Sequence, residues 1–140
     1  MAELQAIVDA IPARYKAMVQ IAAWRGLRFG ELTELRRGDV DLKVGLLRVE
    51  RGVVLLGKEH VVGTPKSAAG KRTVAIPPHL LPNLKEHLLT HVAASQSALL
   101  FPAADGFSHM APSTLYKVWY PARKAAGRDD LRFHDLRHKS

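Results

Sequence analysis

The sequence predicts an α+β domain, mainly α, in which a small antiparallel β-sheet interrupts a run of helices. Three observations lead there. Apolar residues recur at helical spacing early in the chain, as at Tyr15, Met18, Val19, Ala22 and Ala23. From Leu46 to Ile76 the pattern changes to short β-like runs punctuated by Gly52, Gly57, Gly63 and Gly70. Helical spacing then returns from Leu80 onward.

Each element has its own signal. Leu4 to Ala10 reads as a helix broken by Pro12, and Pro12 suits the first position of the next helix. Gly26 is expected to stop that second helix in a left-handed conformation. A short helix is expected over Glu31 to Arg37, closed by Arg36, Arg37 and Gly38. The β-like runs are Leu46 to Glu50, Val53 to Leu56, His60 to Val62 and Arg72 to Ile76, ended by Pro77 and Pro78. Leu80 to Val92 is the next helix, and Phe101 to Ser108 is a loop with an Ala-Asp-Gly turn. Ser113 is expected to cap a helix running to about Ala126, kinked or split at Pro121. Gly127 to Asp130 is a turn, and a last helix starts at Phe133.

Composition excludes several classes. The chain has 140 residues, about one domain, with 47% apolar and 24% charged residues, ordinary for a folded domain. It has no cysteine, so no disulfide scaffold, thiolate metal site or cysteine nucleophile is available. No apolar run approaches the roughly 20 residues of a membrane span, and the N-terminus carries Glu3 and Asp9 where a signal peptide would be basic. The unusual total is charge: 21 Lys and Arg against 13 Asp and Glu leave +8. Those charges lie within patterned segments, which implies a folded basic face that attracts a polyanion, nucleic acid before acidic membrane.

Three motifs can carry chemistry. In Gly26-Leu27-Arg28-Phe29-Gly30-Glu31-Leu32 an arginine sits between two glycines with Glu31 three residues on. A guanidinium there can clamp a phosphate through paired hydrogen bonds, with Glu31 holding it and the glycines allowing close approach. In His134-Asp135-Leu136-Arg137-His138, a proton carrier and a second clamp lie at i and i+3. The segment from Thr64 to Arg72 joins two β-like runs and places Lys66 where it can reach over a cleft.

Together these motifs resemble the tyrosine recombinase (phage integrase) family. The likeness runs through G-L-R-x-G-E-L at Gly26 to Leu32, Leu35, Asp39-Val40-Asp41, the hairpin lysine Lys66 leading into Arg72 to Pro77, and H-D-L-R-H at His134 to His138. It covers the chain from about Tyr15 onward. The resemblance implies the helical catalytic domain of that family, acting in site-specific recombination or integration of DNA by strand cleavage and rejoining through a 3′-phosphotyrosyl link. It implies that Arg28 and Arg137 grip the non-bridging phosphate oxygens. His134 would bind the same phosphate and assist proton transfer, and Lys66 would protonate the leaving 5′ oxygen. Glu31 and His138 would be supporting residues, and Lys71, Arg72, Lys117, Arg123 and Lys124 would contact the DNA.

Two guanidinium groups can stabilise the charge that builds on the phosphate, and lysine can supply the proton. No cofactor and no metal are therefore expected. The partners expected are double-stranded DNA and, in a full-length protein, further copies of the chain on that DNA, in the cytoplasm of a bacterium and encoded by it or by a phage. The family's nucleophilic tyrosine follows the histidine-x-x-arginine motif. Tyr15, Tyr116 and Tyr120 all precede it. The chain is accordingly expected to be part of a catalytic domain, residues 1–140, lacking the N-terminal core-binding domain and the nucleophile segment. It is expected to be inactive in cleavage and to expose apolar surface. Two alternatives share the motifs: a non-catalytic DNA-binding or regulatory module of the same fold, and a metal-dependent hydrolase using His134 and His138.

Overall fold

Leu4, Ile7, Val8 and Ile11 recur at helical spacing, and all four are buried. They line the inner side of α1 (Ala2–Ala10) and the turn after it. The computed structural model describes residues 2–56, 58–63 and 71–138, with side chains at all of these except 2, 3, 134, 137 and 138. Helix α2 (Ala13–Arg25) follows with Pro12 one position before it, not inside it. Its predicted stripe is buried, and so are Ala17 and Ile21, so α2 is covered on most sides and forms the centre of the molecule. It packs against α1, against α4 (Leu81–His91) and against a final 3-10 helix, Phe133–His138. Gly26 ends α2 at φ 67, donating its N–H to the Ala22 carbonyl as expected of a left-handed stop.

The next helix departs from expectation. Helix α3 spans Phe29–Glu34, not Glu31 to Arg37. Leu35 turns extended, buries its side chain, and accepts a hydrogen bond from the Leu100 amide at 2.9 Å. Arg36 and Arg37 are thereby freed from helix-ending duty. Arg37 crosses to the end of α4 and donates to the carbonyls of Leu88, Val92 and Ala93 at 2.7, 3.0 and 2.8 Å. It satisfies the orphan acceptors of another helix. Gly38 lies in a 3-10 turn, Arg37–Asp39, rather than at a helix cap.

The β region forms two sheets instead of one. Strands β1 (Val40–Asp41), β2 (Leu46–Val49) and β5 (Arg72–Ala75) pair antiparallel in the order β1-β2-β5. Leu47 and Val49 face the core while Leu46 and Arg48 face outward, the alternation of a half-buried sheet. Strands β3 (Gly52–Leu56) and β4 (Glu59–Gly63) pair only with each other, in register Val53↔Val62 and Val54↔Val61. The segment containing Lys66 therefore connects two different sheets, since β5 pairs with β2 and not with β4. That segment, with Gly57 and Gly70, lies outside the described residues. The exposed apolar side chains concentrate on the β3–β4 hairpin, at Val54, Leu55, Leu56, Val61 and Val62.

Helix α5 (Pro112–Ala125) begins with Pro112 in its first turn after Ala111, so Ser113 lies inside the helix and is not its cap. Pro121 does not split it. Pro121 is on the exposed side, while Leu115, Trp119 and Ala122 bury the opposite side and keep the helix continuous. The last element is a 3-10 helix, tighter than the α-helix expected there.

What holds α3 against its neighbours is a buried carboxylate. Glu34 is 1% exposed and accepts hydrogen bonds from four donor atoms: Arg36 Nε at 2.8 Å and Nη2 at 3.1 Å, Arg51 Nε at 2.9 Å and His109 Nε2 at 2.7 Å. Arg51 also donates to Asp39 at 2.6 Å, and the His109 ring stacks on His60 of β4 at 5.6 Å. Burial pushes the Glu34 carboxyl up, but the bonds from Arg36, His109 and Arg51 outweigh it and bring it down from 4.5 to about 2. Helix α3 also meets β3 closely: a Cβ on Gly30 would lie 2.5 Å from the Val53 carbonyl oxygen. Gly30 thus serves the packing of α3 on β3.

Two outcomes are expected. Gly30→Ala must push β3 away from α3, and overpacking of this kind costs about 1–3 kcal/mol; urea denaturation should show it. A carboxylate with a lowered pKa contributes stability above its unfolded value, and that contribution fades as pH falls through the folded value. Wild-type stability should therefore drop between about pH 4.5 and 2, with Glu34 accounting for ~2–3 kcal/mol of the drop. Glu34→Gln should be less stable at neutral pH and lose less on acidification.

Candidate functional site

Arg28 is held at the α2–α3 junction by what flanks it. Gly26 reverses the chain, Leu27 is buried, and Phe29 packs against the core. Between those anchors the Arg28 backbone is extended, at φ −77 and ψ 158, and its side chain is exposed. Its amide donates to Glu31 Oε1 at 2.9 Å and its carbonyl accepts from the Leu32 amide at 2.9 Å. Among the described residues the Arg28 guanidinium has no hydrogen-bond or ion-pair partner. A guanidinium fixed at its root and free at its tip can give its paired N–H groups to an anion.

Glu31 is engaged by Arg72 as well as by the Arg28 amide. Its carboxylate receives Arg72 Nη1 at 2.9 Å on Oε2 and Arg72 Nη2 at 3.1 Å on Oε1, a two-pronged pair. Burial raises the Glu31 carboxyl; the Arg72 hydrogen bonds, the Arg28 amide and the two positive charges overcome this and leave it below the ordinary value. Arg72, expected at the DNA, spends both terminal nitrogens on this carboxylate.

The histidine-x-x-arginine segment is anchored by aromatic packing at Phe133, the residue before it. Phe133 meets Phe29 edge-on at 6.4 Å and Trp119 edge-on at 5.4 Å. Trp119 Nε1 and Arg123 Nη1 both donate to the Leu131 carbonyl at 3.1 Å, clamping the approach to the 3-10 helix. Asp135 accepts the Arg132 amide at 3.1 Å, and Leu136 is buried. The backbone at 134 and 137 follows directly from Phe133, whose ring touches the neighbour of Arg28. The side chains of His134, Arg137 and His138 lie outside the described residues, and so does Lys66.

The remaining basic candidates divide. Lys71, Lys117 and Lys124 are exposed. Arg123 lies over the Tyr120 ring at 4.4 Å as well as bonding Leu131, so it has a local structural task. Tyr116 and Tyr120 stack on each other at 5.4 Å, and Tyr15 is buried. Among the described residues no group of three or more His, Asp or Glu is placed to hold a metal ion. Among those residues, too, no helix is long and apolar enough to cross a membrane. Sequence inspection missed the pairing of Arg72 with Glu31 and the Arg36–Glu34–Arg51 group. A possible signal was the second glutamate, Glu34, on a helix with no nearby lysine.

Comparison with known proteins bears on the whole chain. Residues 1–140 match the model described as the phage integrase family. The chain is 54% identical over 137 residues to a putative prophage phiRv2 integrase of Mycobacterium tuberculosis, covering 97% of this chain and 36% of that protein. It is 37% identical over 139 residues to an integrase of Mycobacterium phage D29, covering 96% and 37%. The chain thus spans little more than a third of the length of these curated relatives. Among solved structures, XerA recombinase superposes with a TM-score of 0.73 at 24% identity, covering 97% of this chain and 45% of that one. The Tn1549 transposon integrase in complex with circular intermediate DNA superposes at 0.76 with 16% identity, covering 96% and 49%. Both show the fold, mainly helical with small antiparallel sheets.

The Arg28 guanidinium, without a partner among the described residues, and the packed Phe133 should behave oppositely on substitution. Arg28→Ala is expected to leave stability within about 0.5 kcal/mol of wild type, as for an unengaged surface side chain. Phe133→Ala removes a buried ring shared by two aromatic neighbours and should cost about 3–5 kcal/mol. Thermal unfolding of the two variants checks both.

Proposed function

This chain belongs to the phage integrase family, and we propose that it carries the phosphate-gripping part of a domain that cuts and rejoins DNA in site-specific recombination. The observation that carries the proposal is the exposed Arg28 guanidinium, without a partner among the described residues, next in sequence to Phe29, whose ring meets that of Phe133, the residue before His134.

In this mechanism Arg28 and Arg137 bind the non-bridging oxygens of one phosphodiester. Negative charge grows on those oxygens as the nucleophile attacks, and donors already fixed in place stabilise it without reorganising. Loss of one such donor typically costs about 3–4 kcal/mol of barrier, or roughly 10²–10³ in rate. His134 hydrogen-bonds the same phosphate and helps move the proton. Lys66 gives a proton to the departing 5′ oxygen. Glu31 supports Arg28 through its backbone amide, and His138 completes the segment. Lys71, Lys117 and Lys124 add sequence-independent attraction to the DNA backbone.

None of the three tyrosines suits the role of nucleophile. Tyr15 is buried in the core, and Tyr116 and Tyr120 stack on α5 ahead of the histidine-x-x-arginine segment. We therefore propose that these 140 residues bind duplex DNA without cutting it, and that the complete reaction needs a tyrosine supplied from elsewhere. Pairing of several copies on DNA, in the cytoplasm of the phage's host, belongs to the same proposal.

Fluorescence anisotropy of a labelled duplex tests it. Binding in the range of roughly 10⁻⁴–10⁻⁶ M is expected, weakening steeply as salt is raised. Arg28→Ala should weaken binding and lower the salt slope by about one. Binding that ignores salt, or ignores Arg28→Ala, would overturn the assignment.

A further inference from the structure

The pairing of Arg72 with Glu31 points to a role that charge alone would not suggest. Arg72 opens β5, where it lies opposite Val49 of β2. Its two terminal nitrogens go one to each oxygen of Glu31, and Glu31 Oε1 also receives the Arg28 amide. The chain of contacts runs from a sheet strand, through a carboxylate whose side chain is 14% exposed, to the backbone of the arginine that faces solvent. The planar fork of arginine fits both carboxylate oxygens at once and so fixes the orientation of the carboxylate as well as its charge. Without that fork, Glu31 would be free to rotate away from the Arg28 amide, and the residue that caps the start of α3 would lose its anchor.

We propose that Arg72 is a positioning residue of the phosphate site: by gripping Glu31 it fixes the backbone at Arg28, and it does not itself grip DNA. This rests on the function proposed above for Arg28.

Two measurements separate this role from a direct one. The first needs no DNA. The amide resonance of Arg28 reports the ionisation of the carboxylate it bonds, followed by nitrogen-15 NMR as pH falls. In the wild type its midpoint should lie below the ordinary glutamate value of 4.5, and Arg72→Gln should raise it. An unchanged midpoint would show that Arg72 does not hold Glu31 and would overturn the proposal.

The second is a double-substitution cycle on duplex binding. Arg72→Gln and Arg28→Ala should each weaken binding, by up to about tenfold. The combined variant should be no weaker than Arg28→Ala alone, because the first substitution acts through the second residue. Glu31→Gln should reproduce Arg72→Gln. Arg72→Lys keeps the charge without the fork and should fail to restore binding. Additive losses, or full rescue by Arg72→Lys, would mean that Arg72 contacts the phosphate backbone directly. Should the wild type show no salt-sensitive binding at all, the function proposed for Arg28 fails, while the amide titration still decides whether Arg72 anchors Glu31.

Discussion

A helix of six residues has no stability of its own. Helix α3 keeps its place because its two glutamates are neutralised by arginines brought from later in the chain. Glu34 is clasped by Arg36 and Arg51 at one end, and Glu31 by Arg72 at the other. Low-lying carboxyls in such company are charged across the neutral range, so each tie is electrostatic and hydrogen-bonded together. Removing Arg72 would strip Glu31 of its ion pair, and removing Arg36 or Arg51 would leave Glu34 less fully compensated, a costly outcome for mostly buried charges. The carboxylates therefore do for α3 what length and hydrophobic area do for α2.

From that constraint follows the position of Arg28. Its amide is tied to Glu31, its neighbours Leu27 and Phe29 are packed, and only its side chain is left to solvent. The same helix touches the rest of the molecule at two further points. Gly30 sits against the Val53 carbonyl, which admits no side chain there. Phe29 meets Phe133, so the segment that follows Phe133 is anchored to the helix that begins just after Arg28. Residues separated by more than a hundred positions are thus joined by one edge-to-face contact and one buried tryptophan behind it. The backbone at Arg28 is thus ordered by its own neighbours, and only the side chain keeps its freedom.

Local patterns were legible where burial is periodic or a backbone angle demands one residue. The stripes on α1 and α2, the left-handed Gly26 and the β-like runs could be read directly, since each depends on neighbours a few positions away. Reading failed where an end or a partner is set from afar. Helix α3 stops at Glu34 because the Leu100 amide bonds to Leu35, and no feature of residues 29–37 announces that. Arg36 and Arg37 looked like a helix terminus, yet Arg37 caps α4. Ser113 looked like a cap, yet Pro112 already occupies the first turn. One sheet became two because Val49 pairs with Arg72 while β3 and β4 pair with each other.

The candidate site divides along the same line. By itself the sequence determined that the chain is basic, mostly helical, and supplied with an arginine between glycines and a histidine-x-x-arginine segment, since these are properties of composition and spacing. Only the tertiary structure decided that the Glu31 carboxylate is bonded by the Arg72 guanidinium, and that Arg123 answers to Leu131 and Tyr120. A charged side chain takes whichever opposite charge or carbonyl the fold brings within about 3 Å, and that distance is a property of packing between segments, to which linear order is blind.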